Sequence, residues 1–565
     1  MGVQKALGFI TTGKNIKPQQ AKRMGLVDQL ADPNALEVAA LQAARGLADK
    51  SLKIKRKKRN MMEFALEGNP LGRNVLFKKA NEMMMKASGG HYPAPKKILE
   101  LVEKGCNSGF TSYEDEMNGF ADLVMTPESK ALRSIYFATT ALKKNPYGEP
   151  KKKADTVGVL GAGLMGAGIA EVSVTKNMRV LLKDLNQDGL SRGEKQIEGN
   201  LAKKVKRKRM LKFEKDRTMG NVIGLTQDMK SWPKHFSQAD LVVEAVLEDL
   251  NLKHAVIKET EQYIPEHCVF ATNTSALPIA EIAKASKRPE NIIGMHYFSP
   301  VDKMPLLEII PHEGTSENTI ATAYDVGLRQ GKTTICVKDV PGFYVNRSLG
   351  PYMSEVMDLV MDGADPLRVD KALKSFGFPV GPINLADEVG IDVAGHVQSF
   401  LGDNLGVRMS SPHKNASTIL PKMMEKGLLG KKSGKGFFEY DKKGKRKGVN
   451  SEAQKLVDEI RAGTAKRELS DQEIQERMVF RLLNEAIFCL QDEIITSPRD
   501  GDIGLIFGIG YPPFQGGPFR YLDNGLGIET FVSKMQSYAE KYGPQFEPAP
   551  LVVDMAKSGK KFHSS

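Results

Sequence analysis

The chain has 565 residues, a length typical of about three to four domains. Its 41% apolar and 26% charged residues are those of a folded globular protein and exclude a wholly disordered chain. No apolar run approaches the roughly 18–20 residues that span a bilayer, so a membrane-spanning protein is excluded, although binding to a membrane surface is not. The net charge of +13 suits nucleic acid, anionic lipid or a phosphorylated small molecule equally.

Two sequence features narrow the classes of partner and metal. The short basic clusters Lys55–Arg59 and Lys203–Arg209 lack the interleaved aromatic residues on which bases stack, so nucleic acid is not an expected partner. The four cysteines are scattered without a CxxC pair, which predicts reduced thiols rather than a disulfide framework. For the same reason we expect no structural zinc and no other metal centre.

The N-terminal part of the chain is predicted to be folded, with helices from residue 36 onward. Residues Met1–Asp28 have neither the apolar core of a signal peptide nor the arginine and serine of a transit peptide, so they are interpreted as part of a folded domain. Residues 36–145 show helical periodicity, interrupted at Pro93 and Pro95.

Two further features of this region carry predictions. The methionine clusters at Met61, Met62 and Met83–Met85 predict adaptable packing inside a core. The segment Lys143–Asp155 combines proline, glycine and a lysine run, and is interpreted as a linker between domains.

From Thr156 the pattern changes to short apolar runs that alternate with helices. This alternation predicts an α/β Rossmann domain, a parallel sheet with helices on both faces. The predicted strands are residues 156–161, 179–184, 240–246, 268–275, 291–298, 306–310 and 334–339.

After Phe343 long amphipathic helices dominate, and their sequence is duplicated. Glu355 matches Glu485 and Asp387 matches Asp523 in two similar segments, which predicts an all-α region built from two repeats. A glycine-rich turn and a short strand are expected between the repeats at Gly427–Tyr440.

A glycine-rich loop after the first predicted strand indicates a dinucleotide site. Gly161, Gly163 and Gly166 allow a tight turn, close approach of a pyrophosphate and close helix packing, respectively. Asp184 ends the second strand, where a carboxylate bonds ribose hydroxyls but repels a 2′-phosphate, so NAD is favoured over NADP. The neighbouring Lys183 weakens this preference, and a glycine-rich turn beside a solvated Asp184 is the alternative.

A histidine and a buried carboxylate suggest the reacting groups. His296 lies at the end of a predicted central strand, and Glu308 lies within the next apolar run, where a carboxylate needs a partner. A neutral imidazole can take the proton of an alcohol while a carboxylate orients it, although a purely structural pair is the alternative. Ser275 and Asn346 can donate hydrogen bonds to a substrate oxygen or can cap helices.

Together, five segments resemble the L-3-hydroxyacyl-CoA dehydrogenase family: GVLGAGLMGAGIA, VVEAVLEDLNLK, NTSALPI, GMHYFSPVDKMPLLEII and KDVPGFYVNR. The helical repeat and GGHYPAPKKI resemble its multifunctional members, the alpha subunits of mitochondrial fatty-acid β-oxidation. The resemblance implies NAD-dependent oxidation of an (S)-3-hydroxyacyl-CoA, expected to be long-chain, to the 3-oxoacyl-CoA.

The resemblance also implies roles for individual residues. His296 matches the catalytic base, Glu308 its partner, and Ser275 and Asn346 the groups that bind the 3-oxygen of the substrate. Besides the three glycines, the implied cofactor contacts are Leu164, Met165, Asp184, Ala245, Glu248, Lys253, Asn273 and Ser299. Short-chain members carry Asn in place of Ser299, which leaves that contact less certain. The helix Asn200–Met210 resembles one that meets CoA phosphates, and a solvated face is the alternative.

Finally, the resemblance implies context for the chain. Residues 1–35 resemble the late part of an enoyl-CoA hydratase (crotonase) domain without its catalytic glutamates, so this chain is expected to lack hydratase activity. The family implies a thiolase beta subunit as partner, peripheral contact with cardiolipin-containing inner membrane, and location on the matrix side of that membrane in mitochondria. A non-catalytic scaffold that docks the thiolase is the alternative; a small hydroxy acid substrate is disfavoured. The predicted domains are residues 1–35 (hydratase remnant), 36–152 (helical linker), 153–340 (Rossmann), 341–445 and 446–565 (helical copies).

Overall fold

A computed structural model describes residues 2–54, 61–108 and 113–563, and the chain divides into two compact units, Met1–Lys130 and Ala131–Ser565. The basic cluster Lys55–Arg59 lies outside the described residues. In the described ranges, every helix is too short or too polar to cross a membrane.

The first unit is helical, as predicted for its residues from 36 onward. Its small core consists of five buried side chains: Leu7, Leu76, Phe77, Met84 and Leu99. The helices are α1 (Val3–Ile10), α2 (Pro18–Met24), α3 (Leu36–Ala48), α4 (Met61–Glu67), α5 (Pro70–Ser88), α6 (Pro93–Ser108), α7 (Tyr113–Val124) and α8 (Pro127–Ala141), which continues into the second unit.

The prediction that the methionine clusters fill a core is wrong for most of their members. Met61, Met62, Met83 and Met85 are exposed, and Met84 is buried. A helix with 3.6 residues per turn cannot turn three consecutive side chains toward one neighbour, so on α5 only the middle methionine of the three faces the core.

The second unit opens with an eight-stranded sheet in the order β3-β2-β1-β4-β5-β6-β7-β8, the first six in the arrangement of a Rossmann domain. The strands are β1 (Thr156–Leu160), β2 (Arg179–Asp184), β3 (Val222–Thr226), β4 (Leu241–Glu244), β5 (Val269–Thr272), β6 (Ile292–Tyr297), β7 (Leu306–Ile310) and β8 (Thr333–Cys336). The helices are α9 (Leu164–Val174), α10 (Gln187–Lys206), α11 (Lys212–Met219), α12 (Trp232–Phe236), α13 (Leu250–Thr260), α14 (Ile279–Ala283) and α15 (Glu317–Arg329).

The Rossmann prediction is confirmed, with two corrections to the strands. The expectation of a fully parallel sheet is wrong, because β7 pairs antiparallel with β6 and parallel with β8. The connecting segment 298–305 is shorter than the roughly dozen residues that a parallel crossover needs, so the chain turns back directly. The edge strand β3 was not predicted, since Gly224 interrupts its apolar pattern.

The predicted linker Lys143–Asp155 contains no helix or strand, and it lies along α15. Asn145 donates its side-chain amide to the carbonyl oxygen of Ala321 at 2.9 Å. Arg329 donates to the carbonyl oxygen of Ala154 at 2.7 Å. This connection is therefore fixed to α15 near both of its ends.

The rest of the second unit is helical, apart from the antiparallel pair β9 (Phe438–Tyr440) and β10 (Arg446–Val449), of which β9 was predicted. Its core is continuous with one face of the large sheet. The helices are α16 (Val345–Met361), α17 (Pro366–Phe376), α18 (Pro382–Val389), α19 (Ile391–Leu405), α20 (Ile419–Glu425), α21 (Ser451–Ile460), α22 (Asp471–Gln491), α23 (Pro498–Ile509), α24 (Pro518–Tyr521), α25 (Ile528–Tyr542) and α26 (Pro550–Ser558).

Candidate active site

The glycine-rich loop joins β1 to α9, and two of its glycines are sterically required. Gly161 has a φ of +93°, and a Cβ there would lie 2.7 Å from the carbonyl oxygen of Ala245. A Cβ on Gly166 would lie 1.8 Å from the carbonyl oxygen of Gly161. The loop can therefore turn tightly against Ala245, the residue that follows β4, and α9 can begin close to the loop.

The second glycine, in contrast, borders open space. A Cβ on Gly163 would meet no other atom within 4 Å, although Gly163 is the residue directly before α9. The N-terminus of α9 offers unpaired backbone N–H groups and a positive dipole end to this space. Leu164 is exposed and Met165 half-buried beside it. These residues fit the pyrophosphate of a dinucleotide.

Asp184 is held beside the same loop. One carboxylate oxygen accepts the N–H of Ala162 at 2.7 Å, and the other accepts the N–H of Leu185 at 2.8 Å. A Cβ on Gly189 would lie 2.2 Å from the carboxylate, so this glycine is what lets α10 start so close. The position fits a group that bonds ribose hydroxyls.

Lys183 does not share the surroundings of Asp184. Its ammonium lies 4.2 Å from the ring centre of Trp232 and donates to Gln227. Burial lowers the pKa of Lys183, opposed by the nearby carboxylates of Glu259 and Asp184. The ammonium is thus held by Trp232 and Gln227, while its charge still acts on Asp184.

A buried ion-pair chain lies where β4 and β5 end. Lys253 is 1% exposed, and its ammonium lies 2.7 Å from Glu244 and 3.2 Å from Glu248. Glu248 also accepts the N–H of Ser275 at 2.9 Å and the hydroxyl of Thr274 at 2.5 Å. Burial opposes ionisation, but Lys253 and these hydrogen bonds hold the pKa of Glu248 below its usual value. These ion pairs and hydrogen bonds thus fix the loop that carries Ser275.

Two other predicted cofactor contacts serve the backbone here. Ala245 donates its N–H to the carbonyl oxygen of Leu160 at 2.7 Å, next to the glycine-rich loop. Asn273 accepts the N–H of Tyr297 with its side-chain oxygen at 2.9 Å, which ties the end of β5 to the end of β6. Ser299, in contrast, is exposed just beyond β6.

His296 and Glu308 face each other on the antiparallel strands β6 and β7, and both are buried. Nδ1 of His296 lies 2.7 Å from one carboxylate oxygen of Glu308, whose other oxygen accepts the N–H of Val345 at 3.1 Å. A carboxylate can only accept, so Nδ1 carries the proton and Nε2 is the basic nitrogen. The rings of Phe298 and Phe343 flank the imidazole at 4.4 and 5.7 Å between ring centres.

The two predicted substrate-binding residues are neighbours. Asn346 follows Val345 on the first turn of α16, and its side-chain amide lies 3.4 Å from the carbonyl oxygen of Ser275. The first turn of α16 therefore contacts both the dyad partner Glu308 and the Ser275 loop. Ser275, His296, Glu308 and Asn346 come from four different elements and are linked by these contacts.

Sequence reasoning missed two contributors to this site. Glu244 is a fully buried carboxylate in the apolar run of β4, so the argument that singled out Glu308 could have found it as well. Val345 acts through its backbone N–H, for which a sequence carries no signal. For the helix Asn200–Met210, contact with CoA phosphates and a solvated face both stay open. Lys204 is paired with Glu171, whereas Lys203 bonds to Asn200 of its own helix.

The chain matches two family models: the 3-hydroxyacyl-CoA dehydrogenase NAD-binding domain over residues 156–340, and the C-terminal domain of the same enzymes over residues 342–440. Similar curated proteins are the "fatty acid oxidation complex subunit alpha" of Shewanella amazonensis (46% identity), Idiomarina loihiensis (45%) and Vibrio vulnificus (44%). In each case the match covers 100% of this chain and 78% of the relative.

Two solved dehydrogenase structures are also similar to this chain. The chain resembles 3-hydroxybutyryl-CoA dehydrogenase from Escherichia coli at 26% identity and a TM-score of 0.61, over 72% of this chain and 100% of that one. It also resembles the dehydrogenase part of multifunctional enzyme 1 from C. elegans, at 26% identity and a TM-score of 0.53, over 74% and 98%.

These relatives correct one expectation. The named alpha subunits are bacterial, so the mitochondrial localisation expected from the resemblance is wrong. The expected contact with a mitochondrial inner membrane loses its basis with it.

Proposed function

Since this chain belongs to the family of fatty acid oxidation complex alpha subunits and carries their NAD-dependent 3-hydroxyacyl-CoA dehydrogenase domains, we propose that it oxidises (S)-3-hydroxyacyl-CoA with His296 as the base. The observation that carries the proposal is the buried contact of 2.7 Å between His296 and Glu308, next to Ser275 and Asn346 at the carboxyl ends of the strands. A merely structural pair would not require these hydrogen-bonding groups around it.

In the proposed mechanism the residues of the chain bind, orient and deprotonate. The hydroxyl of Ser275 and the amide of Asn346 donate hydrogen bonds to the 3-oxygen of the substrate. Nε2 of His296 takes the hydroxyl proton, and the carboxylate of Glu308 stabilises the imidazolium that forms. The N-terminus of α9 and Asp184 would hold NAD, which supplies the hydride acceptor when it is bound.

The test is NADH formation by the purified chain with 3-hydroxyacyl-CoA substrates. The wild type should reduce NAD, and His296→Gln should lose about 10²- to 10⁴-fold in kcat while it binds NAD with unchanged affinity. Equal turnover by both proteins would reject His296 as the base. The absence of turnover by the wild type with any acyl-CoA tried would reject the dehydrogenase proposal.

Three finer parts of the proposal concern substrates and partner. We propose that long-chain substrates are preferred, which a kcat/KM series over acyl lengths tests. We propose that these 565 residues lack hydratase activity, which the same protein with 2-enoyl-CoA tests. The relatives are named subunits of a complex, which supports a thiolase beta subunit as partner; co-purification with that subunit of a relative is the test.

A further inference from the structure

The two longest helices of the repeats carry the same pair of charged residues. Arg347 and Glu355 on α16 are separated by one heptad plus one residue, and Arg477 and Glu485 on α22 have the same separation. All four side chains are buried. A buried charge is costly unless it is paired, so the partner of each one matters.

The pairs are exchanged between the repeats. The guanidinium of Arg347 donates to Glu485 at 3.0 Å, and that of Arg477 donates to Glu355 at 2.6 Å. Each repeat therefore supplies the carboxylate for the arginine of the other. The two ion pairs lie on the same pair of packed helices, but their further partners differ. Glu485 also accepts from Arg408 at 3.3 Å, whereas Glu355 also accepts from Arg481 at 2.8 Å and Arg477 also donates to Asp362 at 2.6 Å.

The surroundings of the two arginines differ. The residues that precede Arg347 are Val345 and Asn346, which contact Glu308 and Ser275. The corresponding residues before Arg477 are Gln475 and Glu476, which bond to the carbonyl of Ala372 and the hydroxyl of Tyr538. One ion pair thus adjoins the candidate active site, whereas the contacts of the other, including those with Asp362 and Arg481, lie within the helical repeats.

Arg347 connects Glu485 to the site through the backbone. Its N–H donates to the carbonyl oxygen of Gly342 at 3.0 Å, and its guanidinium lies 3.4 Å from the carbonyl oxygen of Pro341. The turn that it holds carries Phe343, whose ring lies beside His296, and it leads into the amide of Val345 on Glu308. A shift of Arg347 would move the groups that orient both dyad members.

We infer that Glu485, contributed by the second repeat, is a positioning residue of the dehydrogenase site that fixes Arg347 and thereby the first turn of α16. This inference rests on the proposed function, because that function makes His296 and Glu308 the reacting pair that Val345 and Asn346 surround. It also gives the second repeat a part in the reaction without a reacting group of its own.

The chain supplies a matched control for the test. Burial raises the pKa of Glu485 to about 7, so the assays belong at pH 8, where Glu485→Gln removes a carboxylate charge next to the site. Glu355→Gln removes a carboxylate from the corresponding pair away from the site. We expect Glu485→Gln to lower kcat by about tenfold or more, because small displacements of positioned groups cost that much, with KM for NAD within about twofold. Glu355→Gln should retain kcat within about twofold, although its melting temperature falls.

A second pair of variants gives a result if either glutamine variant does not fold. Arg347→Lys and Arg477→Lys keep the charge but lose the planar fork, and only Arg347→Lys should lower kcat. If the wild type is active, two results would overturn the inference while the proposed function stands. One is an equal loss of kcat in the variants of the Arg347–Glu485 pair and of the Arg477–Glu355 pair, and the other is no loss of kcat in either set. An inactive wild type would instead reject the proposed function.

Discussion

At the scale of single residues, Glu308 shows how a buried carboxylate can serve two donors at once. Its two oxygens are divided between Nδ1 of His296 and the N–H of Val345. Neither donor can be replaced by water, since Glu308 is fully buried. The geometry therefore determines which nitrogen of His296 is basic, and this gives a prediction for a neutral substitution.

We predict that Glu308→Gln lowers kcat by about 10²-fold or more. The amide oxygen must accept the N–H of Val345, so the amide nitrogen must face Nδ1 of His296. Nδ1 then accepts, and the proton moves to Nε2, which can no longer act as a base. Steady-state kinetics with NAD titration is the measurement, with NAD affinity as the control. Turnover equal to that of the wild type would contradict this prediction.

At the scale of elements, each helical repeat has an aspartate that accepts two consecutive backbone N–H groups. Asp387 accepts the N–H groups of Phe437 and Phe438, and Asp523 accepts those of Phe562 and His563. The second repeat adds a titratable group, because the ring of His563 lies 3.0 Å from Asp502 and 2.9 Å from Asp523. Burial opposes its protonation, but the two carboxylates outweigh this and raise the pKa of His563.

This arrangement predicts a pH-dependent contribution to stability. A histidine with a raised pKa stabilises the folded state fully below its unfolded pKa of about 6.5, and the stabilisation is lost as the pH rises through the folded pKa. We expect His563→Gln to cost about 1 kcal/mol at pH 6 and less at pH 9, as measured by denaturant unfolding. A cost that does not change with pH would argue against a charged His563.

At the scale of the whole molecule, the two units differ in the size of their cores. The first unit buries one small cluster, and many of its large apolar side chains are exposed. In the second unit the core of the helical repeats continues onto one face of the sheet, so the Rossmann and helical parts share a core. We therefore expect the units to unfold separately.

Calorimetry should show two transitions, the first from the smaller unit. NAD at 100 times its Kd should stabilise the second unit by about 2.7 kcal/mol and raise only the upper transition, because the glycine-rich loop and Asp184 lie in that unit. Movement of both transitions by NAD, or a single transition, would contradict separate unfolding.

The sequence by itself determined the features that consecutive residues encode. The glycine spacing after β1 and the alternation of apolar runs predicted the Rossmann class, and Asp184 favoured NAD. The recurring helical segments predicted the repeats. Glu308 could be linked to His296 because a charge in an apolar strand needs a partner. These inferences hold because local spacing limits what the backbone can do.

Only the tertiary structure decided which elements meet, and in what direction. The antiparallel β7 places Glu308 opposite His296, and Val345 contributes through a backbone group that every residue has. Arg347 and Arg477 each pair with a glutamate of the other repeat, more than a hundred positions away. Such contacts depend on the packing of distant segments, which the local order of residues does not specify.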